Sequence, residues 1–486
     1  MNRPLRKVAV ACLLLFAVLL VNANLRQTVL AEGYRDNSSN RRVLERTYER
    51  ERGAIALSDA SRPLVARSVE QDAQFKYRRT YPARDLYAHV TGFYSFLYGA
   101  SGIERSEDDL LSGEDDELFV ERFSDTLTGR EPRGGDVVLT LQSAAQQAAF
   151  DGLAGKRGAV VALNPKTGAI LAMVSAPSYD PNMVSTFDGD AAREYYDRAN
   201  ADPAKPLLNR AISQTYPPGS TFKVITSAAA LKGGLTPQSL VASPPTLTLP
   251  QTSNPLRNFG GSTCGADRIT LADALRISCN TAFAQLALDL GADEMRAQSE
   301  AFGIGDRDLK IPLTVSQSRY PADPTPPQLG QTGIGQFDVQ VSPLQMAMVA
   351  SGVANRGQVM KPYLIQEVQA PDLSRLRIAE PEVYRDAVTP AVADQLTAMM
   401  EGVVANGSAR SAQIDGVRVA GKTGTAQNAP GAAPHAWFIG FAPADDPQVA
   451  VAVLVENGGD AGSEATGGRV AAPIARSVLQ AVLAGR

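Results

Sequence analysis

The second part of this chain, from about residue 136 onwards, has strand patterns near both of its ends and mainly helical patterns between them. Five of the strand candidates in this part are the apolar runs at residues 159–163, 169–174, 416–420, 435–441 and 448–456. The first two and the last two are each joined by a turn-rich stretch, so both pairs predict hairpins. Strands from both ends of one segment, with helices between them, predict a single antiparallel sheet flanked by helices. We therefore expect an α+β fold and not a parallel βαβ array.

The length of the chain predicts more than one folded unit. At 486 residues it exceeds one ordinary domain. The mixed pattern begins near Gly134, with a strand candidate at residues 136–141 and a helix at 142–152. The sequence therefore predicts an N-terminal segment, 1–25, a spacer or docking module, 26–135, and a compact domain, 136–486.

The N-terminal segment is basic and then apolar. Arg3, Arg6 and Lys7 precede an uncharged stretch of 18 residues, 8–25. That length is at the lower edge of a membrane-spanning helix, and the preceding positive charge favours the N-terminus inside and the rest outside. A cleaved secretory signal is the alternative, because residues 21–23, Val-Asn-Ala, resemble a cleavage site. Either interpretation exports the protein, and we expect a retained single-pass anchor with the compact domain outside the cytoplasm.

The composition excludes two classes of function. A net charge of −4, with no sustained run of lysine or arginine, argues against a nucleic-acid partner. Two histidines and three cysteines, with no CxxC or HExxH motif, leave little for a transition-metal site, so we expect neither metal nor cofactor. In an exported protein Cys264 and Cys279 could form a disulfide or remain two buried thiols, and the sequence leaves both open.

Residues 26–135 carry charge runs without catalytic spacing. Arginines are frequent early, at positions 35, 41, 42, 46, 50 and 52, and acidic runs follow at residues 107–109 and 114–117. Charge runs of this kind are usually solvated surfaces. We therefore interpret the segment as a spacer or docking module.

Ser220 begins a helix pattern that contains Lys223 one turn later. Residues 216–219, Tyr-Pro-Pro-Gly, stop the preceding segment, and residues 220–232 continue as an apolar helix that ends at a Gly-Gly pair. Ser220 would therefore lie at a helix N-terminus, where backbone N–H groups stabilise negative charge. Three-residue spacing places Lys223 alongside, and burial would lower its pKa towards a free amine that accepts the serine proton. A capping serine and a surface lysine would give the same SxxK, which alone is a weak motif.

Two further short motifs follow this pair in order. They are Ser278-x-Asn280 and Lys422-Thr423-Gly424. The first follows a helix pattern at residues 271–277, and the second follows the strand candidate 416–420, which it could continue as an edge strand with Gly424 permitting close approach of a ligand backbone. Each tripeptide pattern also occurs elsewhere, as Ser38-Ser39-Asn40 and Lys166-Thr167-Gly168. The earlier KTG lies in a predicted hairpin turn, where Thr-Gly has a conformational role, so Lys422 is the site candidate.

The ordered set SxxK, SxN and KTG is the three-part signature of penicillin-recognising serine enzymes. The sequence around each part resembles the class B penicillin-binding proteins, and the compact penicillin-binding protein A subgroup most of all. The segments that carry the resemblance are residues 52–55, 99–104, 168–182, 216–223, 333–336 and 342–347. The first two resemble motifs of the family's N-terminal pedestal, which is short here, and the usual Asp-Arg motif is degenerate at Ser58-Asp59.

This resemblance implies a peptidoglycan D,D-transpeptidase with the α+β fold of penicillin-binding proteins and serine β-lactamases. Ser220 would give its proton to Lys223 and attack the penultimate carbonyl of a stem peptide ending in D-Ala-D-Ala. An amine from a neighbouring stem would then take the acyl group. Ser278 and Lys422 would pass a proton to the leaving amine, and Asn280 would hold the substrate amide and the lysine.

The same resemblance implies the remaining site roles. The backbone N–H groups of Ser220 and Thr425 would form the oxyanion hole. Thr423 and Thr425, with the charge of Lys422, would bind the terminal carboxylate. Penicillin and other β-lactams should acylate Ser220 and remain attached.

Three other functions fit parts of the pattern. A β-lactamase shares the motifs but has no need of an anchor and a pedestal. A D,D-carboxypeptidase differs only in using water as the acceptor, and a β-lactam sensor would need a cytoplasmic output module. The pedestal implies protein partners, and the family's usual partner is a membrane glycan polymerase of the shape, elongation, division and sporulation group.

Overall fold

The computed structural model describes residues 2–26, 48–72, 75–253, 255–427, 432–464 and 466–485. The early arginines at positions 35, 41, 42 and 46 and the second SxN, Ser38-Ser39-Asn40, lie outside the described residues.

Strands and helices are mixed along the described chain. The strands are Ile55–Leu57, Leu64–Glu70, Tyr77–Thr80, Tyr94–Ser95, Gly99–Ala100, Asp136–Leu139, Gly158–Leu163, Ile170–Ala176, Leu240–Ala242, Thr246–Thr248, Pro255–Arg257, Arg268–Thr270, Gln358–Met360, Ile365–Gln369, Arg375–Ile378, Val383–Asp386, Ala420–Ala426, His435–Ala442 and Val449–Val455. The α-helices are Asn2–Asn24, Ala88–Thr91, Gly102–Ser106, Asp108–Ser112, Phe119–Thr128, Ser143–Gly152, Pro181–Val184, Gly189–Ala201, Lys223–Lys232, Leu271–Arg276, Asn280–Leu290, Ala292–Ala301, Pro326–Thr332, Pro343–Ala354, Pro390–Asn406 and Gly467–Ala484.

Five antiparallel strands form one sheet, here called the core sheet. Its order is Ala420–Ala426, His435–Ala442, Val449–Val455, Gly158–Leu163 and Ile170–Ala176. Strands from the two ends of the domain therefore meet in one sheet, which confirms the predicted α+β architecture. The last four strands of this order are buried along their whole length, as expected for a sheet with both faces covered. Among the helices packed on it are Pro343–Ala354 and Gly467–Ala484.

The predicted strand at residues 416–420 was wrong in its position. The strand is Ala420–Ala426, and it pairs with His435–Ala442 alone, at the edge of the core sheet. The KTG motif therefore lies inside the edge strand. Lysine and glycine are depleted in strands, and pairing with the buried neighbouring strand outweighs this preference here.

A second sheet of six strands, here called the pedestal sheet, combines distant parts of the chain. Its order is Arg375–Ile378, Ile365–Gln369, Asp136–Leu139, Ile55–Leu57, Leu64–Glu70 and Tyr77–Thr80. The strand predicted at residues 136–141 forms as Asp136–Leu139, but it joins this sheet and not the core sheet. It pairs in parallel with Ile55–Leu57 and is buried along its whole length. A continuous apolar run fits a buried strand of either sheet, so the sequence does not indicate which sheet this strand joins.

The two pedestal segments that carried the family resemblance meet in a buried ion cluster. Arg52 Nε lies 2.7 Å from Glu104 Oε2, and Arg79 Nε lies 2.6 Å from Glu104 Oε1. The Tyr81 hydroxyl also donates to Glu104, at 3.1 Å. Because the carboxylate is fully buried and each partner is itself buried, loss of one arginine would leave an unpaired charge in the interior.

The N-terminal helix, Asn2–Asn24, contains a stretch that could cross a bilayer by its length and composition. The stretch is Arg6–Asn24, with a mean hydropathy of 2.1, and none of it is buried against the described protein. One such helix near an N-terminus fits the predicted anchor and a signal sequence equally well.

Candidate active site

Ser220 lies in a tight turn that leads directly into a buried helix. The turn Gly219–Phe222 is a 3-10 helix, and Lys223–Lys232 continues it as an α-helix. Gly219 has φ of 54°, a conformation that favours glycine, and its N–H donates to Gly335 O at 3.0 Å. Ser220 therefore stands at a helix N-terminus, as the sequence predicted.

The side-chain nitrogen of Lys223 is hydrogen-bonded to the SxN motif. Nζ lies 2.7 Å from Asn280 Oδ1, 2.8 Å from Ser278 O and 3.2 Å from Ser278 Oγ. Among the described residues no hydrogen bond joins Nζ to Ser220, although helix geometry places the two side chains near each other. The hydrogen bonds that hold the lysine nitrogen therefore come from the SxN motif.

Ser278 is held in a backbone conformation that non-glycine residues rarely adopt. Its φ is 63°, between the helices Leu271–Arg276 and Asn280–Leu290. The turn directs Ser278 Oγ towards two lysines, since Lys422 Nζ donates to it at 2.9 Å and Lys223 Nζ at 3.2 Å. Strain of this kind clusters at functional sites, where surrounding contacts maintain it.

The KTG motif contacts the nucleophile turn through its glycine. A Cβ atom at Gly424 would lie 2.9 Å from Pro218 O and 2.9 Å from Thr221 Cγ2. Glycine is therefore required at position 424 because it packs against the nucleophile turn. This reason differs from the predicted close approach of a ligand backbone. Trp437, opposite Gly424 in the neighbouring strand, donates from Nε1 to Pro217 O at 3.0 Å.

Burial changes the charge state of both lysines. It lowers the pKa of Lys223 well below the ordinary value, and the positive charge of Lys422 lowers it further. Burial alone lowers the pKa of Lys422 to about 7. Neither side chain has an exposed surface. A neutral amine that is hydrogen-bonded to Ser278 can accept a proton, so this arrangement can act as a proton path.

A cleft of about 930 Å³ opens above these groups. Its lining includes Ser220, Ser278, Asn280, Thr423 and Thr425, whereas the two lysines lie behind the surface.

A disulfide joins Cys264 to Cys279, inside the SxN motif, and both cysteines line the cleft. The loop before Cys264 is thereby linked to the wall that carries Ser278. The free cysteine among the described residues is Cys12, in the N-terminal helix.

Sequence reasoning missed two polar residues of the cleft. Asn258 Oδ1 accepts hydrogen bonds from the backbone N–H groups of Asn280 and Thr281, at 2.7 and 3.2 Å, and so caps the helix Asn280–Leu290. Ser408 Oγ lies 2.6 Å from Thr423 Oγ1. Both are far from the motifs in sequence and belong to no pattern, so the sequence carried no signal for them.

A buried acidic group supports the nucleophile turn from behind. Glu456 accepts a hydrogen bond from the Tyr216 hydroxyl at 2.7 Å and from Arg210 Nε at 2.8 Å. His435 is the first residue of its strand, and its ring packs edge-on against Tyr216. It is therefore part of this support, and its Nδ1 accepts from the backbone N–H of Asn457 at 3.1 Å.

Two protein-family descriptions match the chain. The penicillin-binding protein transpeptidase domain matches residues 158–480. The penicillin-binding protein A dimerisation domain matches residues 52–137. The first match includes every residue of the three motifs, and the second includes Arg52 and Glu104.

Proteins of known identity match over nearly the full length. The peptidoglycan D,D-transpeptidase PbpA of Mycolicibacterium smegmatis is 48% identical and covers 99% of each chain, and its counterpart from Mycobacterium tuberculosis is 46% identical over both whole chains. The structure of penicillin-binding protein A from M. tuberculosis as a ceftriaxone acyl-enzyme complex has a TM-score of 0.87, 45% identity, and covers 90% of this chain and 100% of its own. The penicillin G acyl-enzyme of that protein has a TM-score of 0.85 with 46% identity, and covers 89% of this chain and 100% of its own.

Proposed function

This chain belongs to the class B penicillin-binding proteins of the penicillin-binding protein A subgroup, and from that membership we propose how its residues perform peptidoglycan D,D-transpeptidation. The observation that carries the proposal is the pair of hydrogen bonds to Ser278 Oγ, one from Lys223 and one from Lys422. They connect the SxxK and KTG motifs through the SxN serine.

Acylation begins at Ser220. Neutral Lys223 takes the hydroxyl proton, and Oγ bonds to the penultimate carbonyl carbon of a stem peptide ending in D-Ala-D-Ala. The backbone N–H groups of Ser220 and Thr425 stabilise the oxyanion. The C–N bond to the terminal D-Ala then breaks, and the leaving nitrogen takes a proton that passes from Lys223 or Lys422 through Ser278.

Deacylation uses the same groups in reverse. An amine of a neighbouring stem attacks the ester carbonyl and loses a proton to the Lys223–Ser278–Lys422 path. The C–O bond to Ser220 then breaks as Oγ takes a proton back from Lys223, and a new amide cross-link remains. Asn280 orients the donor stem, while Thr423, Thr425 and the charge of Lys422 bind the terminal carboxylate of the incoming donor.

Mass spectrometry after penicillin treatment tests the nucleophile. The full-length protein should gain the mass of one intact penicillin, located on the peptide that contains Ser220. Ser220→Ala should lose the adduct completely. Ser262→Ala is the matched control, because Ser262 also lines the cleft and should leave labelling intact.

The acceptor is tested separately with a stem pentapeptide analogue and an added D-amino acid. Formation of the exchanged peptide supports transpeptidation. Release of D-Ala with only the hydrolysed peptide would establish a carboxypeptidase, and continuous turnover of penicillin would establish a β-lactamase.

The remaining parts of the proposal concern the anchor and the partners. Residues 1–25 hold the protein in the cytoplasmic membrane, 26–135 form the pedestal, and 136–486 form the transpeptidase domain outside the cytoplasm. Its partner is a membrane glycan polymerase that supplies new glycan strands. Protease protection of the domain in inverted vesicles tests the topology, and a domain accessible on the cytoplasmic side would contradict it. Co-purification of the polymerase with the full-length protein tests the partner.

A further inference from the structure

One wall of the active-site cleft carries a positive charge, and the rest of its lining is uncharged. Among the described residues that line the cleft, Arg257 alone carries a charge. It is the last residue of the strand Pro255–Arg257, and its side chain is exposed. A guanidinium group stays charged far above neutral pH. The open part of the cleft therefore contains a permanent cation, in addition to the two lysines behind its surface.

The backbone that carries Arg257 is attached to the SxN motif at three points. Arg257 O accepts a hydrogen bond from Asn280 Nδ2 at 3.3 Å. Asn258 Oδ1 accepts from the backbone N–H groups of Asn280 and Thr281, and the disulfide of the SxN motif holds the end of the same loop. We call this segment, residues 255–264, the cation wall. Its position relative to Asn280 is therefore set before any ligand binds.

The guanidinium group of Arg257 forms no ion pair with a carboxylate in the part of the chain that the structure describes. Arg276, two residues before the SxN motif, is instead paired with Asp273 at 2.9 Å. The side chain of Asn258, next to Arg257, is buried, and its Nδ2 has no hydrogen-bond acceptor among the described residues. The cation wall therefore contains donors for which the surrounding described protein supplies no acceptor.

Arg257 lies next to the residue that orients the donor stem. In the proposed acylation Asn280 holds the donor amide, while Thr423 and Thr425 bind the terminal carboxylate. The hydrogen bond between Asn280 Nδ2 and Arg257 O places the cation wall beside the donor amide. An extended peptide advances about 3.5 Å per residue, so the residue before the reacting D-Ala is within reach of a long side chain there. A carboxylate is the group that matches a guanidinium, because the two can form parallel hydrogen bonds.

We propose that Arg257 is a specificity-determining residue that binds a second carboxylate of the donor stem, in the residue before its D-Ala-D-Ala end. This inference rests on the proposed transpeptidation and adds a requirement to its substrate. A donor with a carboxylate in that residue should acylate Ser220 faster than the same donor with a carboxamide. A β-lactam with an extra carboxylate on its acyl side chain uses the same contact, because that side chain takes the place of the donor stem.

Two penicillins that differ by one carboxylate test the proposal on the full-length protein. They are benzylpenicillin and its α-carboxyl derivative, carbenicillin, and intact-mass spectrometry over time gives an acylation rate for each. The readout is the ratio of the carbenicillin rate to the benzylpenicillin rate, in which a general loss of acylation cancels. Arg257→Gln should lower this ratio about five-fold, near the upper limit for an exposed ion pair. Arg257→Lys keeps the charge and should keep most of the ratio.

Arg268→Gln is the matched control. Arg268 is exposed on the strand Arg268–Thr270 and does not line the cleft. The control variant loses the same charge from the same region and should leave the ratio unchanged. Added salt screens an exposed charge pair, so raising the salt concentration should lower the ratio in the native protein and not in Arg257→Gln.

Two donor peptides test the substrate itself. They are acetyl-L-Glu-D-Ala-D-Ala and acetyl-L-Gln-D-Ala-D-Ala, which differ only in a carboxylate and a carboxamide. With an added D-amino acid as acceptor, the native protein should exchange the first peptide faster than the second. Arg257→Gln should remove this preference, and Arg268→Gln should keep it.

Several outcomes would overturn the inference. An equal ratio in the native protein and Arg257→Gln, with Ser220 still acylated by benzylpenicillin, would reject the contact and leave the transpeptidase assignment standing. An equal fall of the ratio in Arg257→Gln and Arg268→Gln would assign the effect to the net charge of the surface. Failure of benzylpenicillin to acylate Ser220 in the native protein would instead reject the proposed function, and the inference with it.

Discussion

The tripeptide Lys-Thr-Gly occurs twice in this protein, and its two copies have opposite environments. In the hairpin turn, the Lys166 side chain is 50% exposed and its Nζ pairs with Asp446 at 2.5 Å. In the edge strand, Lys422 has no exposed surface and its Nζ donates to Ser278 Oγ at 2.9 Å. The same three residues therefore serve a solvated turn in one place and a buried proton path in the other.

The other two positions of the tripeptide differ in the same way. Gly168 has φ of 84°, which the turn requires, whereas Gly424 has no left-handed backbone and is needed to admit the nucleophile turn. Thr167 Oγ1 accepts from the Ala169 N–H at 3.2 Å, and Thr423 Oγ1 lies against Ser408 in the cleft. The chemistry of this short motif therefore depends on whether the surrounding residues bury it.

Replacing each lysine by alanine should give the largest difference between the two copies. We expect Lys422→Ala to lower the rate of penicillin acylation about 10²–10³-fold, the loss typical of one preorganised electrostatic group. Lys166→Ala should stay within about two-fold, since an exposed ion pair contributes little. Stopped-flow acylation with a fluorescent penicillin measures both rates. Equal losses in the two variants would contradict the assignment of Lys422.

Replacing each lysine by methionine should show which of the two makes the free energy of unfolding depend on pH. Burial lowers the pKa of Lys422 to about 7 from an ordinary value of 10.5. As the pH falls from 10.5 to about 7, the unfolded chain binds a proton at this lysine and the folded protein does not. The free energy of unfolding therefore decreases over this interval. Below about pH 7 both states carry the proton, and this lysine causes no further decrease. Lys422→Met removes this loss. Its free energy of unfolding should rise relative to the native protein on going from pH 10 to pH 7, by up to about 1.4 kcal/mol per pH unit.

Urea denaturation at pH 10, 8.5 and 7 measures that difference. Lys166→Met is the control, because its half-exposed side chain should give the same small change at every pH. A Lys422→Met difference that does not vary with pH would mean that the buried lysine keeps its ordinary proton affinity.

Replacing each threonine by valine should give the smallest effects. Thr423→Val removes a hydroxyl of the cleft and should slow acylation about ten-fold, equivalent to about 1.4 kcal/mol. Thr167→Val removes one turn hydrogen bond and should cost about 0.5–1.5 kcal/mol of unfolding free energy with acylation unchanged. Acylation rates and urea midpoints distinguish the two. A slower acylation in Thr167→Val would show that the turn and the site are coupled.

Several features could not be predicted because their signals are not local. The apolar run at 136–141 was recognised as a strand, but periodicity does not say which sheet a strand joins. Fourteen residues between Cys264 and Cys279 did not decide between a disulfide and two thiols, since the spacing does not fix the 5.9 Å between their Cα atoms. Asn258 was missed because a helix cap supplied from 22 residues away leaves no sequence pattern.

The sequence by itself determined the types and order of the reacting groups, the helix start at Ser220, and the antiparallel sheet built from both ends of the domain. These follow from periodicity, turn residues and motif order, which are local properties of a chain. Only the tertiary structure decided that Lys223 reaches Asn280, 57 residues later, and that Lys422 reaches Ser278, 144 residues earlier. It also decided that only one KTG is buried. Burial and distance depend on the packing of whole elements, and packing sets the pKa that the motif alone leaves undetermined.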